Sequence, residues 1–366
     1  MQFKIQQQDF YPLLQSVSRS CGVKAQLPVL NNVLISAAAG KVTLSATNLE
    51  VGVIKSVAAE VIEEGDITIP ARTLVDVTSN LSGLLIEFSS TADQLKITAP
   101  GFSSQMNGIP ASEFPAIPLA SEDEVTLDAQ GLVKSLPEVG FASAVDEGRP
   151  VLTGILTEIK GKKLQLVATD GYRLAHKIMD VKQEHSFKAL IPRRTLEEVV
   201  RLIGEDDIDL VKVATSENRN QMIFSFGSTT LSSRLIEGQF PSWEKIIPAE
   251  IKTTLIVDRL SFLKAVKLSA VFSRLEANVV KLQNTENSLT LTSEGKELGS
   301  QKNEVPVTSE GEEMTIAFNT KFLSEALSAC PGAQVKILLS GNLSAAVIKP
   351  VSEEGLQYVI MPVNLN

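Results

Sequence analysis

Ile69-Pro70-Ala71-Arg72-Thr73-Leu74 returns 122 residues later as Ile191-Pro192-Arg193-Arg194-Thr195-Leu196. In each copy an isoleucine and a proline end an extended segment, and a basic helix-forming run begins. Proline suits that boundary, because its missing N–H costs nothing at a helix start. Three more motifs recur at the same offset. Pro28-Val29-Leu30 returns as Pro150-Val151-Leu152, Val42 and Leu44 as Leu164 and Leu166, and Ala46-Thr47 as Ala168-Thr169. Four motifs at one spacing define an internal repeat. A fainter third copy has Leu289 and Leu291 in the L-x-L place, with AFNTKFLSEAL (317–327) standing where IPRRTLEEVV (191–200) stands. The first two units close alike, at Glu113-Phe114-Pro115 and Gln239-Phe240-Pro241. The chain therefore divides into units 1–121, 122–247 and 248–366, with the proline-rich stretches FPAIPLASEDE (114–124) and FPSWEKIIPAE (240–250) expected as linkers.

Each unit repeats one pattern of elements. A short strand leads into an amphipathic helix with apolar residues three and four apart: QDFYPLLQSVSR (8–19), AQGLVKSLPEVGFA (129–142) or DRLSFLKAVKLSAV (258–271). Pro137 is expected to interrupt or kink the second of these. Alternating strands such as KVTLSAT, KLQLVAT and SLTLTSE follow, then a second helix at 71–81, 193–203 or 320–330, then more strands. The fold class is α+β, each unit a doubled β-α-βββ module. Such a module buries one helix face on one sheet face. Six modules in a row can form an arc, and two arcs related by a two-fold operation can close on each other.

Composition narrows the function. The chain has 366 residues, 43% hydrophobic, and no run approaching 18 apolar residues, so no membrane helix is expected. The opening MQFKIQQQDFYPLLQ lacks the continuous apolar stretch of a signal peptide. Cys21 and Cys330 make no metal or redox spacing, which fits a reducing cytoplasm. The only histidines are His176, at a strand position, and His185, in what reads as a polar turn, QEHS. No P-loop, dinucleotide or zinc-protease motif occurs. An acid–base pair drawn from Asp170 or Asp146-Glu147 would make a carboxylate hydrolase, but acidic residues in turns usually cap or solvate. The acidic clusters 122–124 and 205–207 lack metal-ligand spacing. No enzyme, cofactor or metal is expected.

A net charge of −9 argues against nucleic acid. The six helices tell differently: ten basic residues there against seven acidic ones leave +3 on the helices. A mildly positive helical face within an acidic shell suits weak contact with phosphates, although solvated helix faces often carry such a bias.

ATDGYRLA (168–175), IPRRTLEEVV (191–200), FPSWEKIIP (240–248), YVIMPVNLN (358–366) and LPVLNNVLI (27–35) resemble the bacterial sliding clamp family, the beta subunit of DNA polymerase III. The motifs run from end to end. The resemblance implies three clamp domains with helices lining a ring and antiparallel sheets outside. It implies a head-to-tail homodimer encircling duplex DNA without sequence preference. It implies a processivity factor that tethers the polymerase III alpha subunit, the clamp loader, and other polymerases and repair proteins through short peptides.

Residue by residue, the resemblance gives Lys24, Arg72, Arg149, Arg193, Arg194 and Arg201 as DNA contacts. The aromatic residues that some members carry just before the PVL motif are missing from DEGRP (146–150). For a peptide pocket between the second and third units it gives Leu152, Thr169, Gly171, Tyr172, Arg173 and Leu174; then Pro241, Lys245 and Ile246; then Asn319, Phe322, Leu343, Ser344, Val359, Ile360, Met361, Pro362 and Val363. Arg173, Asn319 and Ser344 are expected to bond a peptide backbone. Lys245 stands where some members have arginine, and Glu276 where some have an aromatic pocket residue. Met106, and Val271 and Phe272 just after the third unit's first helix, are expected at the dimer joint. Two alternatives stay open: an acidic peptide-binding scaffold that never encircles DNA, and the carboxylate hydrolase.

Overall fold

The computed structural model describes residues 1–22, 27–120, 123–146, 148–216, 220–274, 278–295 and 298–364. The first repeat runs β1 (Gln2–Gln6), α1 (Gln7–Ser18), β2 (Asn32–Ala38), β3 (Lys41–Thr47), β4 (Val51–Ala58), β5 (Glu60–Glu63), β6 (Gly65–Pro70), α2 (Ala71–Ser79), β7 (Leu85–Thr91), β8 (Gln94–Ala99) and β9 (Phe102–Asn107). The second has β10 (Glu124–Asp128), α3 (Ala129–Gly140), β11 (Gly154–Thr169), β12 (Arg173–Pro192), α4 (Arg193–Ile203), β13 (Leu210–Thr215), β14 (Gln221–Phe226) and β15 (Thr229–Arg234). The third has β16 (Thr253–Asp258), α5 (Arg259–Ser273), β17 (Val279–Asn284), β18 (Ser288–Gly295), β19 (Gly299–Gly311), β20 (Thr315–Asn319), α6 (Thr320–Ala329), β21 (Gln334–Leu339), β22 (Ala346–Pro350) and β23 (Leu356–Ile360). Both helices of each repeat start directly off a strand, as the motifs require. Asp258 caps α5 by accepting the Ser261 N–H, and Asn319 caps α6 by accepting that of Lys321.

The described residues form two compact units, 1–130 with 194–235 and 131–193 with 236–366, so the second repeat contributes to both. In the first unit a sheet of order β10-β13-β14-β15-β4-β3-β2-β6 crosses from the second repeat to the first at β15–β4. A second sheet, β5-β1-β7-β8-β9, packs Phe3, Phe10 and Phe88 into one aromatic core. In the second unit the sheet order is β11-β12-β23-β22-β21-β16-β19-β18-β17-β20, crossing from the second repeat to the third at β12–β23. Every strand pair is antiparallel.

Four local expectations need correction. Helix α3 continues through Pro137 to Gly140. The proline sits one turn from the end, so it removes a hydrogen bond where few remain to lose. QEHS is not a turn: His185 lies in β12 opposite Gly161, in an arm of the long β11–β12 hairpin beyond a register shift between Gly161 and Lys163. Val271 and Phe272 are inside the last turn of α5, which no Gly or Pro stops earlier. The linkers are packed rather than loose. Ile117 lies so close over Gly52 that a Cβ there would meet it at 2.9 Å, and Phe240 and Trp243 are buried.

Candidate functional site: an apolar groove on the second unit

The ATDG turn joins β11 to β12. The Thr169 hydroxyl donates to the Arg173 carbonyl (2.6 Å) and accepts the Gly171 N–H (3.0 Å). Asp170 Oδ1 accepts the N–H groups of Tyr172 (2.9 Å) and Arg173 (3.0 Å). These bonds are an Asx turn, and Gly171 takes φ +93°, where a side chain is strained. The carboxylate proposed for a hydrolase is thus engaged in building the turn. Glu147, its suggested companion beside Asp146, lies outside the described residues.

The turn sends Tyr172 outward, 64% exposed, and Arg173 inward. The Arg173 guanidinium donates to Asp170 (3.1 Å), to Glu325 on α6 and to the Phe141 carbonyl (2.9 Å). It lies between the rings of Phe141 and Phe322, 5.2 and 4.8 Å from their centroids. Phe322 in turn stacks on Tyr172. Arg173 is therefore a strut inside the wall, not a free donor for a peptide. Sequence reading missed Glu325 and Phe141, since nothing local to either signals this contact.

Beneath the turn lies a buried cluster of Leu156, Val167, Leu174, Leu190, Phe240, Trp243, Ala345, Val347 and Val359, with Val151, Ile236, Ile247 and Leu338 against it. Among the predicted residues Leu174 and Val359 belong to this floor, and Leu152, Thr169 and Ile360 are also buried. The rim carries the exposed ones: Tyr172, Leu343 (63%), Met361 (40%), Ile246 (36%), Pro241 and Lys245. The tail leaves the sheet over this floor. Met361 N–H bonds the Tyr172 carbonyl (2.9 Å), and Val363 N–H bonds the Ala317 carbonyl beside α6 (2.8 Å). Pro362, Val363, Asn319 and Ser344 are half-buried; Asn319 is occupied as the α6 cap, and Ser344 N–H turns back to Gly341. Glu276 lies outside the described residues.

Trp243, the chain's one tryptophan, packs at a tilt against His176 with ring centroids 4.4 Å apart. Gln357 Nε2 donates to His176 Nδ1 (3.0 Å), which leaves Nε2–H to donate to Gln165 Oε1 (3.1 Å). Burial pushes the imidazole down to about 4, against the Glu244 charge and with help from Lys349. The neutral ring is the folded form, while the unfolded chain takes up a proton near pH 6.5. The sign follows: stability is complete above that value and falls as pH drops from about 6.5 to about 4, by about 3 kcal/mol. Urea unfolding followed by tryptophan emission checks this, and His176→Gln should flatten that limb.

The arginines separate by place. Arg72 and Arg194 are exposed on the first turns of α2 and α4. Arg193, half-buried, opens α4. Arg201 is bonded to Glu198 (2.8 Å) and to Glu205, which neutralises it. Arg149 precedes the Pro150–Leu152 turn, and its Nη1 lies 3.5 Å from where a Gly171 Cβ would be. That puts it beside the ATDG turn. Lys24 lies outside the described residues. A separate concavity of about 490 Å³ holds His176, Lys336, Lys349, Glu353, Glu354 and Gln357, and none of the predicted residues. Among the described residues no helix is long and apolar enough to cross a membrane, and no cluster has the makings of a metal site.

Repeats spliced by continuous sheets, with an apolar groove on the second unit, define a tandem-domain protein. Models of the N-terminal, central and C-terminal domains of the DNA polymerase III beta subunit match residues 1–118, 126–242 and 244–364. The chain belongs to that family, whose members are non-catalytic sliding clamp subunits. It is 33% identical to the beta sliding clamp of Synechococcus elongatus over 383 residues and 29% identical to that of Pseudomonas aeruginosa over 370, all of both chains covered in each case. A Pseudomonas aeruginosa sliding clamp solved with bound griselimycin matches at TM-score 0.94 and 28% identity, and the Bacillus subtilis clamp at 0.95 and 25%, each over the full length of both chains.

Proposed function

We propose that two copies of this chain close head to tail into a ring around duplex DNA, and that the groove holds short peptides of the proteins the ring tethers. The observation that carries the peptide reading is the exposed apolar rim of Tyr172, Ile246, Leu343 and Met361 over a fully buried floor, since exposed apolar patches mark interaction sites. Met361 supplies a deformable side chain for varied partners. That a relative takes griselimycin is in keeping with this. Arg149, beside Gly171, joins the groove rim in this reading rather than the DNA contacts. The tethered partners are the polymerase III alpha subunit, the clamp loader and repair proteins, in the cytoplasm, with domains 1–121, 122–247 and 248–366.

Support for the ring comes from the strand ledger of the repeats. The sheet joints pair β15 with β4, Ser233 opposite Val51, and β23 with β12, Ile360 opposite Arg173. The equivalent strands left over are β9 and the first half of β19, each paired on one side only among the described residues. Continuing the register puts Met106 of one copy opposite Gly299 of the other. Val271, exposed, and Phe272 flank that edge from α5.

DNA contact falls to Arg72, Arg193 and Arg194, with Lys24 kept as a candidate. Enclosure does the holding and the arginines only line the path. Loading onto nicked circular DNA tests this: the protein should remain on the circle and leave once it is linearised. Arg72→Ala with Arg194→Ala should slow loading and flatten its salt dependence while leaving retention on the circle intact. Retention that ignores linearisation favours the scaffold alternative.

A further inference from the structure

The second leucine of each L-x-L pair marks one position across the sheet. Leu44 faces Lys55, Leu166 faces Lys177, and Leu291 faces Asn303. Lys55 and Lys177 are 122 residues apart and both about 5% exposed. A buried ammonium persists only when paired, and each of these is paired across a junction between repeats.

Lys55 Nζ lies 3.1 Å from Glu205 and 3.5 Å from Asp206, just past α4 of the second repeat. The Ser16 hydroxyl of α1 donates to the same Glu205 oxygen at 2.7 Å. Lys177 is bonded to Glu353 of the third repeat, and its ammonium forms an ion pair with Glu138 Oε2 of α3 at 2.9 Å. Ser16 and Glu138 are both the tenth residue of their helices. Burial raises the carboxyls of Glu205 and Glu353, but hydrogen bonds from Ser16 and Lys55, and from Lys134 and Lys177, outweigh it and hold both below their usual value.

The third repeat departs at two of these places. Asn303 replaces the lysine, and Leu268 is the tenth residue of α5. The first-repeat residues that match Glu205 and Asp206 at the same offset are Gly83 and Leu84. β19 at Asn303 is also the free edge assigned above to the second copy.

We infer that this one position separates the junctions the chain keeps from the one it opens: Lys55 and Lys177 are ionic struts fastening each repeat to the next, and the subunit joint is built without one. The claim about the subunit joint rests on the head-to-tail reading; the claim about the struts does not. Opening a ring at that joint then breaks no buried ion pair, whereas parting either internal junction strands a buried charge.

Hydrogen exchange on the full chain tests the inference, with sedimentation run alongside. In Lys55→Met, amides of 51–55 and 229–233 should exchange faster by at least about tenfold, with 173–177 and 356–360 unchanged. Lys177→Met should show the converse. Asn303→Met should alter neither pairing nor the monomer–dimer balance. Should either lysine variant fail to fold, Glu205→Gln and Glu353→Gln carry the same expectation. Wild-type exchange in the lysine variants, or a dimer loosened by Asn303→Met as strongly as they loosen their junctions, overturns the inference. A chain monomeric at every concentration instead overturns the head-to-tail reading and leaves the exchange result standing.

Discussion

A chain ending at Met361 is expected to keep its fold and its dimer but to lose stimulation of its replicative polymerase. Removing Pro362 onward deletes the hydrogen bond from Val363 to Ala317, worth about 1 kcal/mol. It also takes away the half-buried Pro362 and Val363 side chains, which lie between the rim and α6. The last strand survives, because Leu356–Ile360 stays paired with both β12 and β22. The damage is therefore confined to the groove wall. A partner peptide should bind at least about tenfold more weakly, a loss of 1.4 kcal/mol or more. DNA synthesis on a primed circle, with sedimentation of the same sample, reads both effects. Undiminished synthesis would remove the tail from the site.

How much of this was legible beforehand depends on range. The repeat was visible because strand-to-helix boundaries are local: Ile-Pro before a basic run fixes the start of α2 and α4 whatever packs above them. The groove's turn was visible for the same reason, since Thr169, Asp170 and Gly171 make their own bonds within four residues. Contacts across long separations were not. Arg173 reads as a peptide donor from sequence, but Glu325, 152 residues away, occupies it. Arg201 looked like a DNA contact although Glu198 and Glu205 stand three and four residues off on its own helix, a spacing that could have been read. Phe240 and Trp243 sit in a proline-rich stretch that reads as a linker, yet both are buried. Two large aromatics in an exposed linker would have been costly, and that was the missed signal. The strut lysines left a trace too, since Lys55 and Lys177 share the repeat offset, but burial was needed to give it meaning.

Trp243→Ala should be the most damaging single change in the second unit. The indole is 7% exposed and is the largest member of the floor cluster. Its loss leaves a cavity that the sheet beneath cannot close, which costs about 3–5 kcal/mol. The effect should fall on function before it falls on folding, because the residue belongs to a segment leading into the third repeat rather than to a strand. Ile246 and Pro241 on the rim are carried by that segment and lose their seat with it. Chemistry next door supplies an independent readout. His176 is held neutral mainly by burial, and the ring that covers it is Trp243. Uncovering the imidazole returns its titration from about 4 toward the free value near 6.5. The acid limb of the stability curve should then shrink in the variant while overall stability drops. Nuclear magnetic resonance of the His176 ring follows the first effect and denaturant midpoints the second. A variant with weakened peptide binding but an unmoved His176 titration would mean that the floor had refilled around the gap, and that Trp243 shapes the groove without sealing the ring behind it.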